Sequence, residues 1–198
     1  MWYIIRHCQT LENNLDIQQG QTESLLTLKG IIQAQSIGYR LLEQEKNFEN
    51  FKFLSSPLCR TRHTLQIIME ILGVADKITP IVEPMLINRG KGVLQGILKE
   101  KIKDLFPEEE AKRTEDSWNY IAPNATESKC QSCQRIQKFI DKYKDEKNLV
   151  IVGHRGINNF LRRLLSGETL DNIRDNRGEI DKSQNYFYTW DGKKIDRI

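Results

Sequence analysis

The chain has 198 residues, a length that suits one domain with room for an insertion. Its content of 38% hydrophobic and 29% charged residues is that of an ordinary globular protein, which argues against a disordered or a membrane-spanning chain. The net charge of +3 comes from mixed signs without a basic stripe, so we expect no nucleic-acid partner. The apolar opening MWYII is interrupted by Arg6 too soon for a secretory signal, so we expect a cytoplasmic protein with no membrane partner.

Strands and helices alternate along the sequence. In chain order the predicted elements are a strand at 2–5, a helix at 31–42, a strand at 51–54, a helix at 65–72, a strand at 78–82, a mixed segment at 84–125, a helix at 133–143, a strand at 149–152, a helix at 157–165, and a hairpin made by 185–190 and 193–198. The strands are continuous apolar runs, whereas the helices repeat apolar residues every three or four positions. Pro80 weakens the strand at 78–82, and Asp191-Gly192 is a two-residue hairpin signal.

This alternation predicts an α/β fold, a three-layer α/β/α sandwich around a mostly parallel central sheet. We treat 1–198 as a single domain. The segment 84–125, here called the cap segment, has weak periodicity with several prolines and charges. It is predicted to be a partly helical insertion over the active-site end of the sheet.

Charged and imidazole side chains follow three of the predicted strands directly. Arg6 and His7 follow the first, Arg60 follows the second within SSPLCR, and His154 and Arg155 follow the strand at 149–152. Ligands of open α/β sheets bind beyond the carboxyl ends of the strands, so neighbouring strands would bring these groups together. Several arginines in one pocket favour an anion, and their planar forks match phosphate oxygens. We therefore expect a small phosphorylated substrate, or inorganic phosphate, as the ligand.

A histidine among arginines has a lowered pKa and stays neutral, and neutral imidazole is a nucleophile toward phosphorus. The alternative is that each histidine only packs or caps a helix, and we assign that structural role to His63. Two histidines at separate strand ends, each beside an arginine, favour the catalytic interpretation for His7 and His154.

Four short motifs, in order along the whole chain, resemble those of the histidine phosphatase superfamily, which includes the cofactor-dependent phosphoglycerate mutases. They are RHCQT, SSPLCRTRHT, LINRGKGVLQG and VGHRG. The resemblance implies that His7 accepts the phosphoryl group and that Arg6, Arg60 and His154 hold the phosphate. It implies lesser roles in binding or shaping the site for a further set, Thr10, Ser55, Ser56, Arg89, Glu127 and Arg155.

Two positions depart from the family pattern. Cys8 stands where the family has a glycine, so a side chain is expected to crowd the pocket or shift its loop. Asn88 stands where the family places its general-acid glutamate, and an amide is no proton donor of that kind. Other branches carry an acid directly after the second histidine, where this chain has Arg155. Glu83 is the remaining candidate for the acid, five residues before Asn88.

The cysteines suggest no metal site. Cys130 and Cys133 form C-x-x-C without further ligands nearby, and Cys133 shares a helical face with Ile136, so we expect it in the core. The arginines near Cys8 favour its thiolate and hence its oxidation. No metal and no other cofactor is expected, because arginines and histidines supply the positive charge that the chemistry needs.

Three functions remain open at this point. The first is phosphomonoester hydrolysis through a phosphohistidine on His7. The second is a weakly active or inactive phosphate-binding or regulatory protein, favoured by Asn88 and Cys8. The third is a phosphoglycerate mutase, for which Lys99, Lys112 and Arg113 are candidates to bind a carboxylate or second phosphate, the alternative being that they are solvated surface charges. Whether the protein forms a homodimer is also open.

Overall fold

The strands form one six-stranded sheet. The computed structural model describes residues 1–176 and 187–198. Its strands are β1 (Trp2–Arg6), β2 (Lys52–Ser55), β3 (Ile81–Val82), β4 (Leu149–Gly153), β5 (Phe187–Trp190) and β6 (Ile195–Arg197), in the spatial order β3-β2-β4-β1-β5-β6. The first four strands are parallel, and β5 and β6 add an antiparallel edge. The predicted mostly parallel sheet is confirmed.

Helices cover both faces of the sheet. They are α1 (Leu11–Asn14), α2 (Leu28–Gln44), α3 (Cys59–Ile71), α4 (Ile102–Leu105), α5 (Pro107–Glu115), α6 (Lys129–Tyr143), α7 (Arg155–Leu165) and α8 (Leu170–Asp175). Successive residues of β1 point to opposite faces: Tyr3 and Ile5 pack in the core cluster of α2 and α3, while Trp2 and Ile4 pack in the cluster of α6 and α7. This is the expected α/β/α sandwich.

The edges of the sheet differ in detail from the prediction. The strand predicted at 78–82 is reduced to Ile81–Val82, which fits the presence of Pro80. The terminal hairpin is real, but its turn takes four residues because the Asp191 side chain accepts hydrogen bonds from the backbone N–H groups of Lys193 and Lys194, at 2.8 Å each. The predicted strand start at 185–186 lies outside the described residues.

The cap segment is partly helical, as expected. It contains α4, α5 and three short 3-10 turns. Its own small core is built on Leu94, Ile102 and Ala122. Gly92 fixes its path: the φ angle is +52°, and a Cβ there would lie 1.9 Å from the carbonyl oxygen of Pro123, so only glycine fits. The assignment of 1–198 to one domain stays a prediction.

Candidate active site

The carboxyl ends of three neighbouring strands meet at one place. In the parallel pairing of β1 with β4, Arg6 stands opposite Gly153, and the His7 N–H donates to the Gly153 carbonyl at 3.0 Å. The next residue, His154, begins the turn into α7. The two imidazole rings therefore lie next to each other, with centroids 5.3 Å apart and their planes tilted by 60°. The structure thus brings together the two histidines that the sequence predicted.

His7 is held in one tautomer. Its ring Nδ1 lies 2.9 Å from the carbonyl oxygen of Cys8. A carbonyl oxygen only accepts, so Nδ1 must carry the hydrogen and Nε2 must carry the lone pair. Burial and the charges of Arg6 and Arg60 lower the pKa of His7 well below its ordinary value, so the ring is neutral at pH 7. A neutral imidazole with a free Nε2 lone pair is a nucleophile.

His154 is buried at the start of α7. Its Nε2 lies 2.8 Å from the hydroxyl oxygen of Ser56, the residue that follows β2. Its Nδ1 is buried without a hydrogen-bond partner among the described residues. Burial, then His7 and Arg60, lower the pKa of His154 well below its ordinary value. This ring is therefore also neutral near pH 7.

Arg60 is fully buried at the start of α3. Its terminal nitrogens donate to the backbone carbonyls of Thr22, at 2.7 Å, and Gly20, at 2.8 Å, while its Nε has no partner among the described residues. Burial lowers the pKa of Arg60 to about 10, which still leaves it charged at pH 7. Its charge acts on His7 and His154 although its side chain does not line the open cleft.

The open cleft above the strand ends is strongly cationic. It has a volume of about 480 Å³ and is lined by both histidines, Asn88 and the nine cationic residues Arg6, Arg89, Lys91, Lys99, Arg113, Lys129, Arg155, Arg163 and Arg174. Within the described part of the chain, no aspartate or glutamate lines it. Trp118 and Phe160, packed edge to face with centroids 6.1 Å apart, add an apolar wall. The cleft is built to receive an anion with an organic group.

Glu83 is directed away from the cleft. Its carboxylate accepts hydrogen bonds from the backbone N–H of Met85, from Lys142 and from the Tyr143 hydroxyl. Burial by itself would raise the pKa of Glu83, but the hydrogen bonds from Lys142 and from the other two donors hold it below its ordinary value. An ionised carboxylate that is already bound by two side chains of α6 is a structural anchor. The structure gives the expectation of an acid at Glu83 no support.

Asn88 does line the cleft, and its amide is engaged on both sides. Its Nδ2 donates to the Gly20 carbonyl at 2.9 Å, and its Oδ1 accepts from the Arg89 N–H at 3.0 Å. Asn88 therefore joins the cap segment to the loop that also receives Arg60. This side chain positions two parts of the cleft wall.

Cys8 does not crowd the cleft. It is fully buried in the core cluster of α2 and α3, and its N–H donates to the Thr64 hydroxyl at 3.1 Å. Burial raises the pKa of the Cys8 thiol to about 12 and outweighs the effect of Arg6. The expectation of an acidic, oxidation-prone thiol was therefore wrong, because desolvation dominates at this position.

The remaining predicted residues divide into cleft and support. Arg89 and Arg155 line the cleft. Thr10 does not: it is fully buried and caps α1, accepting from the Asn13 N–H at 3.2 Å. Glu127 is paired with Arg135, whose guanidinium also binds the carbonyls of Met85 and Ile87. Lys112 pairs with Glu109 on α5 and does not line the cleft.

Sequence reasoning missed Lys91 and Lys129 in the cleft wall. Lys91 lies within the motif RGKG and Lys129 begins α6, and neither position is marked by composition alone. Among residues 1–176 and 187–198, no group of three His, Cys, Asp or Glu side chains is arranged to hold a metal ion. Within the same residues, no helix is long and apolar enough to cross a bilayer.

Comparison with known proteins gives a consistent family. The model of the histidine phosphatase superfamily (branch 1) matches residues 2–195. A protein named "Probable phosphoglycerate mutase GpmB" from Erwinia tasmaniensis is 32% identical over 142 residues, 70% of this chain and 60% of its own length. The protein of the same name from Yersinia pestis (strain Pestoides F) is 35% identical over 125 residues, 63% of this chain and 50% of its own. The match thus spans only about half to three fifths of these relatives.

Solved structures show the same fold. The alpha-ribazole phosphatase from Shigella flexneri has a TM-score of 0.77 and 23% identity, with 94% of this chain and 88% of that chain covered. The mycobacterial glucosyl-3-phosphoglycerate phosphatase in complex with VO3 has a TM-score of 0.74 and 21% identity, with 100% of this chain and 96% of that chain covered.

Proposed function

The chain belongs to the histidine phosphatase superfamily, and from that premise we propose that it hydrolyses a small phosphomonoester through a phosphohistidine formed on His7. The observation that carries this proposal is the hydrogen bond between His7 Nδ1 and the Cys8 carbonyl, 2.9 Å long. It leaves the lone pair on Nε2 of a neutral, buried ring that lines the cleft.

The surrounding charges support phosphate as the ligand. Arg6 and Arg155 line the cleft together with His7, and Arg60, whose charge acts on His7, is held by two backbone carbonyls. His154 Nδ1 has no partner among the described residues, and such a buried polar atom in a cleft wall is uncommon and suits a polar ligand. Fixed cations around a phosphoryl group stabilise the charge that spreads over its oxygens during transfer.

The proposed reaction has two steps. His7 Nε2 attacks phosphorus, the bond from phosphorus to the ester oxygen breaks, and the alcohol departs after taking up a proton. Water then attacks the phosphohistidine, the P–N bond breaks, and phosphate and neutral His7 are released. The backbone hydrogen bond at Nδ1 persists through both steps, because the attacking atom is Nε2.

A mutase is the second candidate, and the cap side of the cleft favours it. Lys99 and Arg113 line that side and are suited to a carboxylate or a second phosphate. Both are also paired with acids, Lys99 with Asp16 and Arg113 with Glu110, so they are only partly available to a ligand.

A phosphate-binding protein without turnover is the third candidate, favoured by the absence of a carboxylic acid from the described cleft wall. For the chain itself, the cytoplasmic location stays a prediction, and whether it forms a homodimer stays open.

Hydrolysis of para-nitrophenyl phosphate tests the proposal, since this ester has a weakly basic leaving group that needs little help from an acid. We expect turnover by the wild type and its loss in His7→Ala. The matched control is His63→Ala, because His63 is exposed on α3, away from the cleft. Equal turnover in wild type and His7→Ala would refute the nucleophile, and no turnover in any variant would favour the binding protein.

A further inference from the structure

We propose that Lys91 is the proton donor to the departing alcohol in this cleft, and that it recovers the proton from water in the second step. This inference rests on the proposed hydrolysis and adds the group that the hydrolysis lacks. Ordinary alkyl esters leave as strongly basic alkoxides, so a proton donor near the ester oxygen contributes roughly 10² to 10⁴ in rate.

The cleft wall leaves few groups that can perform this task. Carboxylic acids are absent from the described residues that line it. His7 is the nucleophile, and both His7 and His154 are neutral near pH 7 because their pKa values are lowered. Arginine does not release its proton in this range. Among the described lining residues, the three lysines Lys91, Lys99 and Lys129 remain.

Lys91 is distinguished from the other two lysines by its surroundings, and Lys129 already interacts with other groups of the described chain. Lys99 forms an ion pair with Asp16, which holds its proton in place. Lys91 Nζ has no hydrogen bond or ion pair within the described chain, although the residue is half-buried and lines the cleft. Burial, followed by the positive charges of Arg89, Lys129, Arg113 and Arg155, lowers the pKa of Lys91 to about 7. These four cations come from its own loop, from α5, from α6 and from α7.

The acidic groups nearby are bound elsewhere. Glu110 and Glu127 border a smaller cavity that Lys91 also lines, and neither of them lines the main cleft. Glu110 is paired with Arg113, and Glu127 with Arg135. Neither carboxylate is paired with Lys91, so its pKa stays near the working pH of a general acid.

The backbone fixes Lys91 in place. Its N–H donates to the Gln95 side chain at 3.0 Å, and its carbonyl accepts from the Leu94 N–H at 3.1 Å. Gly92 follows with the obligatory positive φ. Arg155 lines the same cleft as Lys91 and His7, and its charge contributes to the lowered pKa of both. A fixed backbone and a flexible side chain suit a proton donor that must reach a departing oxygen.

The proton balance closes over the two steps. In the first, His7 Nε2 forms the P–N bond, the P–O ester bond breaks, and the ester oxygen takes a proton from the Lys91 ammonium, which becomes an amine. In the second, water forms a P–O bond as the P–N bond breaks, and the Lys91 amine takes the water proton. The products are an alcohol and hydrogen phosphate, and both side chains return to their starting forms.

The first test compares leaving groups in the wild type, Lys91→Met and Lys91→Arg. The substrates are para-nitrophenyl phosphate and an alkyl ester such as glycerol 2-phosphate. For Lys91→Met we expect a loss of roughly 10² to 10⁴ in kcat on the alkyl ester and a loss of less than about tenfold on the nitrophenyl ester. Removing one of several neighbouring cations relieves repulsion, so this variant is expected to fold.

Lys91→Arg separates proton donation from charge. Arginine keeps the positive charge but holds its proton, so we expect kcat on the alkyl ester to stay as low as in Lys91→Met. Recovery of alkyl-ester turnover in Lys91→Arg would overturn the proposal and leave Lys91 as an anion-binding group. A matched control is Lys103→Met, since Lys103 is exposed on α4 and does not line the main cleft.

A second test needs no variant. The pH profile of kcat/KM reports groups of the free enzyme. We expect kcat/KM on the alkyl ester to fall as pH rises through the Lys91 pKa of about 7. We expect no such fall in kcat/KM with the nitrophenyl ester. A profile on the alkyl ester that stays flat above pH 7 would overturn the proposal. If the wild type cleaves the nitrophenyl ester through His7 but shows no such contrast, only the role of Lys91 fails.

Discussion

The carbonyl of Cys8 decides which nitrogen of His7 meets the ligand. Because it accepts from Nδ1, the imidazole presents Nε2 without any carboxylate to orient it. The Cys8 side chain points the other way, into the core beneath α2 and α3. The Cys8 backbone therefore sets the tautomer of His7, while the Cys8 side chain packs in the core. A cysteine in place of the family's glycine thus leaves the cleft open.

Replacing Asn88 with glutamate is expected not to restore an acid. The Asn88 amide donates to Gly20 and accepts from the Arg89 N–H, and a carboxylate cannot make the first of these bonds. Arg89 and Lys91 line the same cleft and would hold a new carboxyl in its ionised form. We expect Asn88→Glu to raise kcat on an alkyl phosphate by less than about tenfold, where a working acid contributes roughly 10² to 10⁴.

Steady-state kinetics on the alkyl and nitrophenyl esters measure this. Asn88→Gln is the matched control, because glutamine keeps the amide and lengthens the side chain by the same methylene group as glutamate. A gain of about a hundredfold or more in Asn88→Glu, restricted to the alkyl ester, would show that position 88 is the natural place for the acid and that Lys91 does not perform the task.

At the scale of elements, the entry to the cap segment is tied to α6 by one carboxylate and one guanidinium. Glu83 joins the end of β3 to Lys142 and Tyr143, while Arg135, which is paired with Glu127, donates to the carbonyls of Met85 and Ile87. These bonds set the path of the chain just before Asn88. The side chains of the cleft wall are thus positioned by contacts that lie outside the cleft.

Glu83→Gln is expected to destabilise the fold without changing the dependence on leaving group. The buried carboxylate accepts from two side chains, so we expect a loss of about 1–3 kcal/mol in the free energy of unfolding at pH 7. The folded pKa of Glu83 lies below its ordinary value, so the carboxylate contributes stability above the unfolded pKa of about 4.3 and loses it as pH falls through the folded value.

Denaturant unfolding of wild type and Glu83→Gln between pH 7 and pH 3 checks this sign. The difference in stability is expected to shrink below about pH 4.3. Glu49→Gln is the control, since the pair of Glu49 with Lys77 is exposed and contributes little. A selective loss of alkyl-ester turnover in Glu83→Gln, with stability unchanged, would instead return Glu83 to the role of acid.

For the whole molecule, the sequence predicted the sheet and the meeting of strand ends because both depend on local patterns. Apolar runs placed β1, β2 and β4, and residues next in the chain had to follow them to one edge. The side-chain partners of Glu83 lie 59 and 60 residues further along the chain. The sequence around Glu83 therefore could not show that its carboxylate is bound by α6 and does not reach the cleft. Lys91 was missed for the same reason, since its cationic neighbours come from α5, α6 and α7.

Charge is likewise unevenly distributed over the molecule. The net charge is only +3, yet nine cationic side chains of the described residues line one cleft. Composition therefore gave no strong indication of an anionic substrate, whereas the fold concentrates the positive field at the strand ends. We expect such a cleft to attract anions from a distance and to raise their concentration near His7.

Rapid quenching of the enzyme during a single turnover of a phosphorus-labelled ester tests the central claim most directly. The result we expect is an acid-labile, base-stable phosphoryl group on the peptide that contains His7, present in His63→Ala and absent in His7→Ala. Turnover accompanied by a phosphoryl group on another residue, or turnover that persists in His7→Ala, would contradict the phosphohistidine mechanism.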